Sequence, residues 1–201
     1  MGASTTLAAY VLPEALGAFR RAHGRVVISV HTGLSSEVVE MVRSGQSDLG
    51  LVTIETPDRA LTQAVLGPYE TRAVVPAGHP MAAHGEVGVE ELARWPMLLM
   101  ETGTSLRAFV DRLMSSAGVE EQVSVEIVNV EAIKRMVEAG IGISFLPEVT
   151  VREEARAGRL VAIPIAGVRQ AHRRIVLAKQ RSRALAPAGR AFAALLEDRL
   201  A

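Results

Sequence analysis

The residues that could do chemistry in this chain are hydroxyl-bearing side chains in two glycine-containing turns, each placed before a helix-forming segment. The turns are GASTT at residues 2–6 and ETGTS at residues 101–105. The first N–H groups of a helix have no acceptor within it, and the helix dipole adds partial positive charge there. Hydroxyl groups beside such a start make a natural site for a small anion. We therefore predict ligand contacts from Ser4, Thr5, Thr6, Thr102, Gly103, Thr104 and Ser105.

Two further turns follow β-branched runs, one in each half of the chain. Ligands of open α/β sheets bind at such strand ends, beside helix starts. The candidate contacts are therefore His31, Thr32 and Gly33 in the first half, and Asn129, Val130 and Glu131 in the second. Each has a structural alternative, because a lone histidine is commonly structural, asparagine commonly caps a helix and an early glutamate complements the dipole. Thr53 ends a strand and is a weaker candidate for the floor of the site.

Arginine side chains offer a second kind of anion contact. Arg107 lies just inside the helix after the second turn, where it could bind a carboxylate or phosphate through two parallel hydrogen bonds. We favour the alternative, a solvated side chain paired with Asp111 one turn later. A later basic cluster could indicate nucleic-acid binding, but without interleaved aromatic residues a solvated strand face is favoured. This cluster comprises Arg169, Arg173, Arg174, Lys179, Arg181 and Arg183.

Patterns of known catalytic, metal-binding and cofactor-binding sites are absent from the sequence. It contains no His-Glu-x-x-His, no Gly-x-Ser-x-Gly, no phosphate-binding loop ending in Gly-Lys-Ser/Thr, and no Gly-x-Gly-x-x-Gly after a strand. The histidines show no metal-ligand spacing, since His79 and His84 flank an irregular loop containing Pro80. We predict no catalytic residues, no metal and no cofactor.

Composition excludes several classes of protein. The 201 residues contain equal numbers of acidic and basic side chains, 22 each, so the basic excess of a nucleic-acid-binding surface is missing. Cysteine is absent, which excludes disulfides and thiolate chemistry. No apolar run approaches the roughly 20 residues that cross a bilayer, and no secretory signal is visible. We expect a cytoplasmic protein.

The elements that must position the turns alternate along the chain between helical patterns and β-branched runs. Helices are predicted over residues 4–23 with a bend at Pro13, and over 35–45, 89–92, 105–118, 129–140 and 184–200. Strands are predicted over residues 25–30, 48–53, 64–67, 71–75, 97–100, 123–128, 142–145, 160–165 and 174–178. This alternation is typical of an α/β fold built from parallel sheets with helices on both faces.

The order of the elements predicts two lobes. The last strand and helix have no sheet of their own, so we expect them to return to the first lobe. Lobe I then comprises residues 1–72 and 173–201, and lobe II residues 73–172. The expected architecture has two crossover strands and a ligand cleft between the lobes.

Several segments in this order resemble the effector-binding domain of LysR-type transcriptional regulators. They are GASTTLAAYVLP (2–13), GQSDLGLV (45–52), VPAGHPMA (75–82), VEELARWPML (89–98) and GIGISFLP (140–147). The resemblance covers nearly the whole chain. The opening segment is most similar to the branch that includes regulators of carbon fixation and cysteine metabolism.

The resemblance implies a type 2 periplasmic-binding-protein fold that binds a small metabolite, which we expect to be anionic. It places effector contacts at the hydroxyl-bearing turns and near residue 129, the latter mostly through backbone. It also implies a winged helix-turn-helix domain before this one, which we expect to lie outside the 201 residues and to make all DNA contacts. The strand that normally leads into Gly-Ala-Ser is expected to be missing or reduced to Met1.

The resemblance and the pattern also predict partners and leave alternatives. We expect a homodimer through apolar faces of the first and last helices, a tetramer in the full-length protein, and no membrane contact. One alternative is a solute-binding receptor of a transport system, with the same architecture. Another is an enzyme in which His31 or Glu131 acts as the base, although fold alone does not establish function.

Overall fold

The computed structural model describes residues 1–53, 58–167 and 173–200. The chain divides into two compact units: unit 1 is Met1–Tyr69 with Arg173–Ala201, and unit 2 is Glu70–His172. In chain order the elements are β1 (Gly2–Ser4), α1 (Thr5–Tyr10), α2 (Leu12–Ala22), β2 (His31–Gly33), α3 (Ser35–Arg43), β3 (Gly50–Val52), β4 (Leu61–Tyr69), β5 (Thr71–Pro76), α4 (Val89–Leu92), β6 (Pro96–Leu99), α5 (Ser105–Ala117), β7 (Gln122–Glu126), α6 (Val130–Glu138), β8 (Ser144–Pro147), α7 (Arg152–Arg156), β9 (Leu160–Ile163), β10 (Arg173–Gln180) and α8 (Pro187–Leu200). Short 3₁₀ turns occupy Pro80–Ala83 and Glu148–Thr150.

The described strands of unit 1 form a mixed sheet in the order β2-β1-β3-β10-β4. Strands β1, β2 and β3 are parallel, whereas β10 is antiparallel to both of its neighbours. The expectation of purely parallel sheets is therefore wrong. The physical reason is that β4 carries the chain out of unit 1 and β10 brings it back, so these two adjacent strands run in opposite directions.

The strand predicted over residues 25–30 is not formed, and the predicted turn at residues 31–33 is the strand β2 instead. Register explains the difference, because His31 pairs with Gly2 and Gly33 with Ser4. The pairing of the two strands begins at Gly2 and His31, so residues 25–30 have no residue of β1 beside them. Val27 in this segment is 91% exposed, whereas Val26, Ile28 and Val30 are half-buried.

The strand that was expected to be missing or reduced to Met1 is present as the short strand β1, formed by Gly2, Ala3 and Ser4 between β2 and β3. Two glycines let α3 pack closely on this part of the sheet. A Cβ atom at Gly50 would lie 2.7 Å from the Val42 side chain, and one at Gly2 would lie 3.0 Å from Val38. Both valines are fully buried, so small residues in the strands are needed to accommodate them.

The helices of unit 1 follow the predicted proline signals. The first helical segment is interrupted at Val11, and Pro13 lies in the first turn of α2, where its missing N–H leaves no bond unmade. The last helix starts at Pro187 rather than at residue 184, because Pro187 restricts the residue before it. The Phe19 and Phe192 rings pack edge to face with centroids 5.0 Å apart.

This packing of α2 against α8 buries Phe19 and Phe192 within unit 1. An ion pair of 3.1 Å between Glu14 and Arg199 also joins the two helices. Phe19 and Phe192 of the apolar faces of these helices are therefore covered within unit 1.

Unit 2 contains an antiparallel sheet in the order β8-β5-β9 and a parallel pair of strands, β6 and β7. An isolated bridge between Met97 and Ile143 and a 2.6 Å hydrogen bond from Ser144 Oγ to the Leu98 carbonyl connect β6 to the segment of β8. The predicted helix ends are confirmed at Gly118 and Gly140, with φ of 68° and 75°. Only glycine adopts this left-handed backbone without strain.

Candidate functional site

The turn of unit 1 differs from the predicted helix cap. Ser4 is the last residue of β1 and stands at the N-cap position of α1 with extended backbone, but its side chain makes no capping hydrogen bond in the described structure. The exposed Thr5 donates a long hydrogen bond of 3.4 Å from Oγ1 to the Gly33 carbonyl. Thr6 is half-buried in the first turn of the helix. The hydroxyl groups of this turn are therefore not used to hold the helix start.

Strand β2 brings a second group of predicted residues to the same turn. Thr32 pairs with Ala3 and Gly33 with Ser4. The His31 N–H donates to the Met1 carbonyl over 2.9 Å, while the His31 and Thr32 side chains are exposed. The structure thus places residues 31–33 side by side with residues 2–4 of the hydroxyl-bearing turn. Residues 31–33 form the strand β2, and not the turn after a strand that was predicted.

Thr53, the weaker candidate, follows β3 and lies in a polar group whose contacts the sequence did not predict. Arg173 donates from Nη2 to Thr53 Oγ1 over 2.7 Å, and its guanidinium lies 5.4 Å from the centre of the Tyr69 ring. The Ser35 hydroxyl is 3.5 Å from the Thr53 hydroxyl. Burial raises the pKa of Tyr69, against the opposing effect of the nearby Arg173. No feature of the sequence indicated this contact, because Thr53 and Arg173 meet through the pairing of β3 with β10.

Members of the predicted basic cluster differ in their surroundings. Arg173 is half-buried and bonded to Thr53, so the interpretation as a solvated face is wrong for this residue. Arg181 donates to the carbonyls of Arg59 and Leu61, and Arg183 to that of Gly45. Arg169 lies outside the described residues.

The turn of unit 2 is the predicted helix start. Thr104 is the N-cap of α5, accepting a hydrogen bond from the Arg107 N–H over 3.2 Å and donating from Oγ1 to the Glu101 carbonyl over 2.9 Å. Gly103 has a φ of 88°, a conformation that favours glycine. Thr102 and Gly103 are exposed, while Ser105 begins the helix. This turn is fixed by its own hydrogen bonds.

Arg107 is buried instead of solvated, which corrects the favoured interpretation. The predicted pairing with Asp111 is confirmed, since Arg107 Nε donates to the Asp111 carboxylate over 2.6 Å, but the predicted exposure to solvent is not. Its Nη1 atom also donates to Glu126 and, at 3.4 Å, to the Met100 carbonyl. The hydrogen bond to Glu126 is the main cause that raises the pKa of Arg107, against the lowering effect of burial. The guanidinium therefore ties α5 to β7 and is not available as a free anion contact.

The third predicted group starts α6. Asn129 Oδ1 accepts from the Ala132 N–H over 3.0 Å, as expected of a cap, and Val130 is buried. Glu131 is exposed, but its carboxylate lies 2.9 Å from Lys134 Nζ, so it does more than complement the helix dipole.

Sequence reasoning missed the buried ion pair behind α6. Lys134 Nζ lies 3.0 Å from Glu154 Oε1 and donates to the Thr150 carbonyl over 2.9 Å. Burial raises the pKa of Glu154, but the hydrogen bond from Lys134, a backbone hydrogen bond and the charges of Lys134 and Arg159 together outweigh it, so the net pKa is below the ordinary value. Lys134 shares the apolar spacing of Val130, Ile133 and Val137, which was the signal for a buried lysine.

Comparisons with known proteins identify the family of this chain. The sequence model of the LysR substrate binding domain matches residues 1–201. The chain is 31% identical over 157 residues to the HTH-type transcriptional regulator CbbR of Sinorhizobium medicae, an alignment of 78% of this chain and 50% of that protein. The chain spans about half the length of the curated relatives it matches. These relatives are named as transcriptional regulators.

Solved structures show the fold. The regulatory domain of CcmR from Synechocystis PCC6803, in complex with 2-PG, matches with a TM-score of 0.89 at 22% identity, covering 99% of this chain and 95% of that one. The effector binding domain of QuiR, in complex with shikimate, matches with a TM-score of 0.85 at 19% identity over 99% of this chain and 94% of that one. The predicted periplasmic-binding-protein-like α/β fold is thereby confirmed.

In the described residues no helix has both the length and the apolar character needed to cross a membrane. The family match favours a regulator's domain over the alternative of a receptor for a transport system. The chain belongs to the LysR substrate binding domain family.

Proposed function

We propose that this chain is the effector-sensing domain of a cytoplasmic LysR-type transcriptional regulator and that its effector is a small anionic metabolite. The observation that carries the proposal is the family match over all 201 residues. DNA contacts belong to a helix-turn-helix domain in the full-length protein, as in the regulators named above. The domain acts by binding and not by catalysis.

The hydroxyl-bearing turns of both units supply the effector contacts. In unit 1 these are Ser4, Thr5 and Thr6, supported by His31, Thr32 and Gly33 on the adjacent strand. In unit 2 they are Thr102, Gly103, Thr104 and Ser105, with Asn129, Val130 and Glu131 contributing mainly through backbone. Unpaired N–H groups at the starts of α1 and α5 favour an anionic group.

Effector binding changes regulation only through a difference in affinity between two states of the regulator. Such coupling typically amounts to about 1–3 kcal/mol. An anion that bound both states equally would leave transcription unchanged however tightly it bound. The effector is therefore the anion for which both binding and a shift in promoter occupancy are observed.

The test is a titration of the chain with carboxylates and phosphorylated sugars, followed by thermal shift and calorimetry. A true effector at 100 times its dissociation constant should add about 2.7 kcal/mol to the free energy of unfolding. The double variant Thr5→Ala/Thr102→Ala removes exposed hydroxyls that cap no helix, and should weaken binding about tenfold if each hydroxyl contributes about one hydrogen bond.

Ser116→Ala is the matched control. Ser116 lies in the last turn of α5, away from the helix start, and its hydroxyl donates to the Leu113 carbonyl. This variant should bind the effector as the unchanged chain does. Equal losses in Ser116→Ala and in the double variant would contradict the assignment of the turns, as would the absence of binding by every anion in the panel.

The regulator is also proposed to be a homodimer, and a tetramer when full-length. Since the apolar faces of α2 and α8 are covered, the subunit contact requires other surfaces. Strand β2 is an edge of the unit 1 sheet and the preceding Val27 is 91% exposed. Edge strands with exposed apolar side chains are suited to pairing with another chain. Val27→Lys should shift the chain toward monomer in light scattering, whereas Ile141→Lys, 51% exposed in unit 2, should not.

A further inference from the structure

A cavity of about 540 Å³ in unit 2 lies apart from every residue proposed above for effector binding. It is bordered by α7, by β9 and by the side chain of Arg72 on β5. This volume is within the range of roughly 300–1,000 Å³ that small-molecule sites occupy. The cavity is formed by unit 2 alone, so it does not depend on the proposed effector site.

The charged groups around the cavity are mainly cationic. Arg152 and Arg156 are separated by four residues on α7, which places them on one face of the helix. Both are exposed, and neither side chain makes a hydrogen bond or ion pair within the part of the chain that the structure describes. They differ in this from Arg107 and Arg159 of the same unit, which are paired with carboxylates.

One carboxylate, Glu148, also lines the cavity, and it is paired with Arg72. Glu148 Oε2 lies 3.0 Å from Arg72 Nη2 and accepts from Arg72 Nε over 3.0 Å. Arg72 is paired with Glu70 as well, over 2.5 Å. This group therefore has one positive charge against two carboxylates, whereas Arg152 and Arg156 add two positive charges at the cavity.

The remaining wall of the cavity is apolar. Val151, Leu160 and Pro164 line it together with Ala155 and Ala162. A purely inorganic anion would use the guanidinium groups and leave this wall in contact with water. A molecule that has an apolar body and an anionic group would contact both parts.

We propose that this cavity is a second ligand site, which accepts a small soluble amphipathic anion: a carboxylate or phosphate group on an apolar body. Arg152 and Arg156 hold the anionic group, and the wall formed by Val151, Leu160 and Pro164 contacts the apolar body. Guanidinium groups suit this role because they match carboxylate and phosphate oxygens in pairs. The domain would thus respond to a second metabolite without using the hydroxyl-bearing turns.

The test uses phenyl phosphate as the probe, with inorganic phosphate and phenol as its two halves, at low ionic strength because salt screens exposed charges. Backbone amide shifts in NMR spectra locate the binding. We expect saturable shifts in α7 and β9 with phenyl phosphate, and much weaker binding there of either half. The double variant Arg152→Ala/Arg156→Ala should weaken this binding about tenfold, the size expected of two exposed ion pairs.

Arg112→Ala is the matched control, since Arg112 is exposed on α5 of the same unit and does not line the cavity. It should change the affinity less than twofold, and so should Thr5→Ala/Thr102→Ala. Shifts at α7 and β9 that persist with unchanged affinity in the double arginine variant would overturn the proposal. So would the absence of shifts there at saturating probe, or inorganic phosphate binding as tightly as phenyl phosphate.

Discussion

The two hydroxyl-bearing turns, residues 2–6 of unit 1 and 101–105 of unit 2, start their helices differently although their sequences are similar. In unit 2, Thr104 and Asn129 cap α5 and α6 through their side chains. In unit 1, Ser4 and Val11 occupy the N-cap positions of α1 and α2 without a side-chain capping bond in the described structure. A hydroxyl that caps a helix is held in place, whereas one that does not is available for a ligand.

The difference extends to the charges behind the helices. Each long helix of unit 2 carries a buried cation that is paired with carboxylates, Arg107 on α5 and Lys134 on α6. We infer that the turn of unit 2 is preorganised by its own side chains, while the turn of unit 1 gains partners when a ligand binds. The comparison leads to predictions about where a substitution affects stability and where it affects binding.

The largest effect is expected for Lys134→Met. The Lys134 and Glu154 side chains are only 5% and 9% exposed, so removing the lysine leaves a buried carboxylate with Arg159, 3.8 Å away, as its remaining cation. Loss of one partner of a buried ion pair costs about 3–5 kcal/mol. Urea unfolding at neutral pH measures the loss. Arg135→Met, with a side chain that is 73% exposed, is the control and should cost less than about 1 kcal/mol.

The loss of stability in Lys134→Met should also depend on pH in a defined direction. The pKa of Glu154 is lowered in the folded protein, so its ionised form stabilises the fold at pH above the unfolded value. That contribution is lost as pH falls through the lowered folded pKa. In Lys134→Met the pKa of Glu154 should rise, and the variant should become relatively less unstable in acid. A variant whose deficit is the same at pH 7 and pH 4 would contradict the role of this pair.

Arg107→Met should have the next largest effect, about 2–3 kcal/mol in the same unfolding experiment. The guanidinium is 10% exposed, but Asp111 and Glu126 are 45% and 41% exposed and can be hydrated once it is gone. Their hydration makes the expected loss smaller than for Lys134. Because Arg107 holds α5 to β7, the variant should also weaken effector binding, which calorimetry would detect. Arg112→Met on the same helix is the control and should leave both quantities unchanged.

Removing a hydroxyl from each turn compares the two units directly. Thr104→Ala should lower the free energy of unfolding by about 1 kcal/mol, since a capping side chain is lost. Ser4→Ala should change it by less than about 0.5 kcal/mol, because Ser4 makes no capping bond. Both should weaken effector binding. If Ser4→Ala destabilises the chain as much as Thr104→Ala does, the distinction between the two turns is wrong.

The sequence predicted the elements whose ends carry a local signal. Thr104 and Gly118 define α5, and Asn129 and Gly140 define α6, so these helices were placed nearly to the residue. The helix α7 was missed because its five residues give no repeat. The strand at residues 25–30 was misplaced because its β-branched residues favour a strand, whereas a strand also needs a neighbouring strand in register.

The candidate site was predictable only as far as it depends on local sequence. The turns at residues 2–6 and 101–105 were found from their hydroxyls and glycines. The bond between Thr53 and Arg173 was not, because it joins residues 120 positions apart through strand register. Arg107 was placed correctly on its helix but assigned to solvent, since neither Glu126 nor the Met100 carbonyl could be assigned to it from spacing.

The smallest predicted effect concerns a third side-chain cap in unit 2. His79 Nδ1 accepts from the Met81 N–H over 3.3 Å at the start of a 3₁₀ turn, and its ring packs edge to face on Trp95. Burial lowers the pKa of His79, against the raising effect of Glu91. Protonated Nδ1 cannot accept, so the cap exists only in the neutral form.

Because the folded pKa of His79 is lowered, its contribution to stability is complete above the unfolded value of about 6.5 and is lost as pH falls through the folded pKa. NMR titration of the His79 ring should give a midpoint below 6.5. His79→Asn supplies an oxygen that accepts at any pH, and should remove this part of the pH dependence of unfolding, whereas His84→Asn should not. A midpoint above 6.5 would mean that Glu91 dominates burial and that protonation of His79 favours the folded protein, which would contradict a cap that depends on the neutral ring.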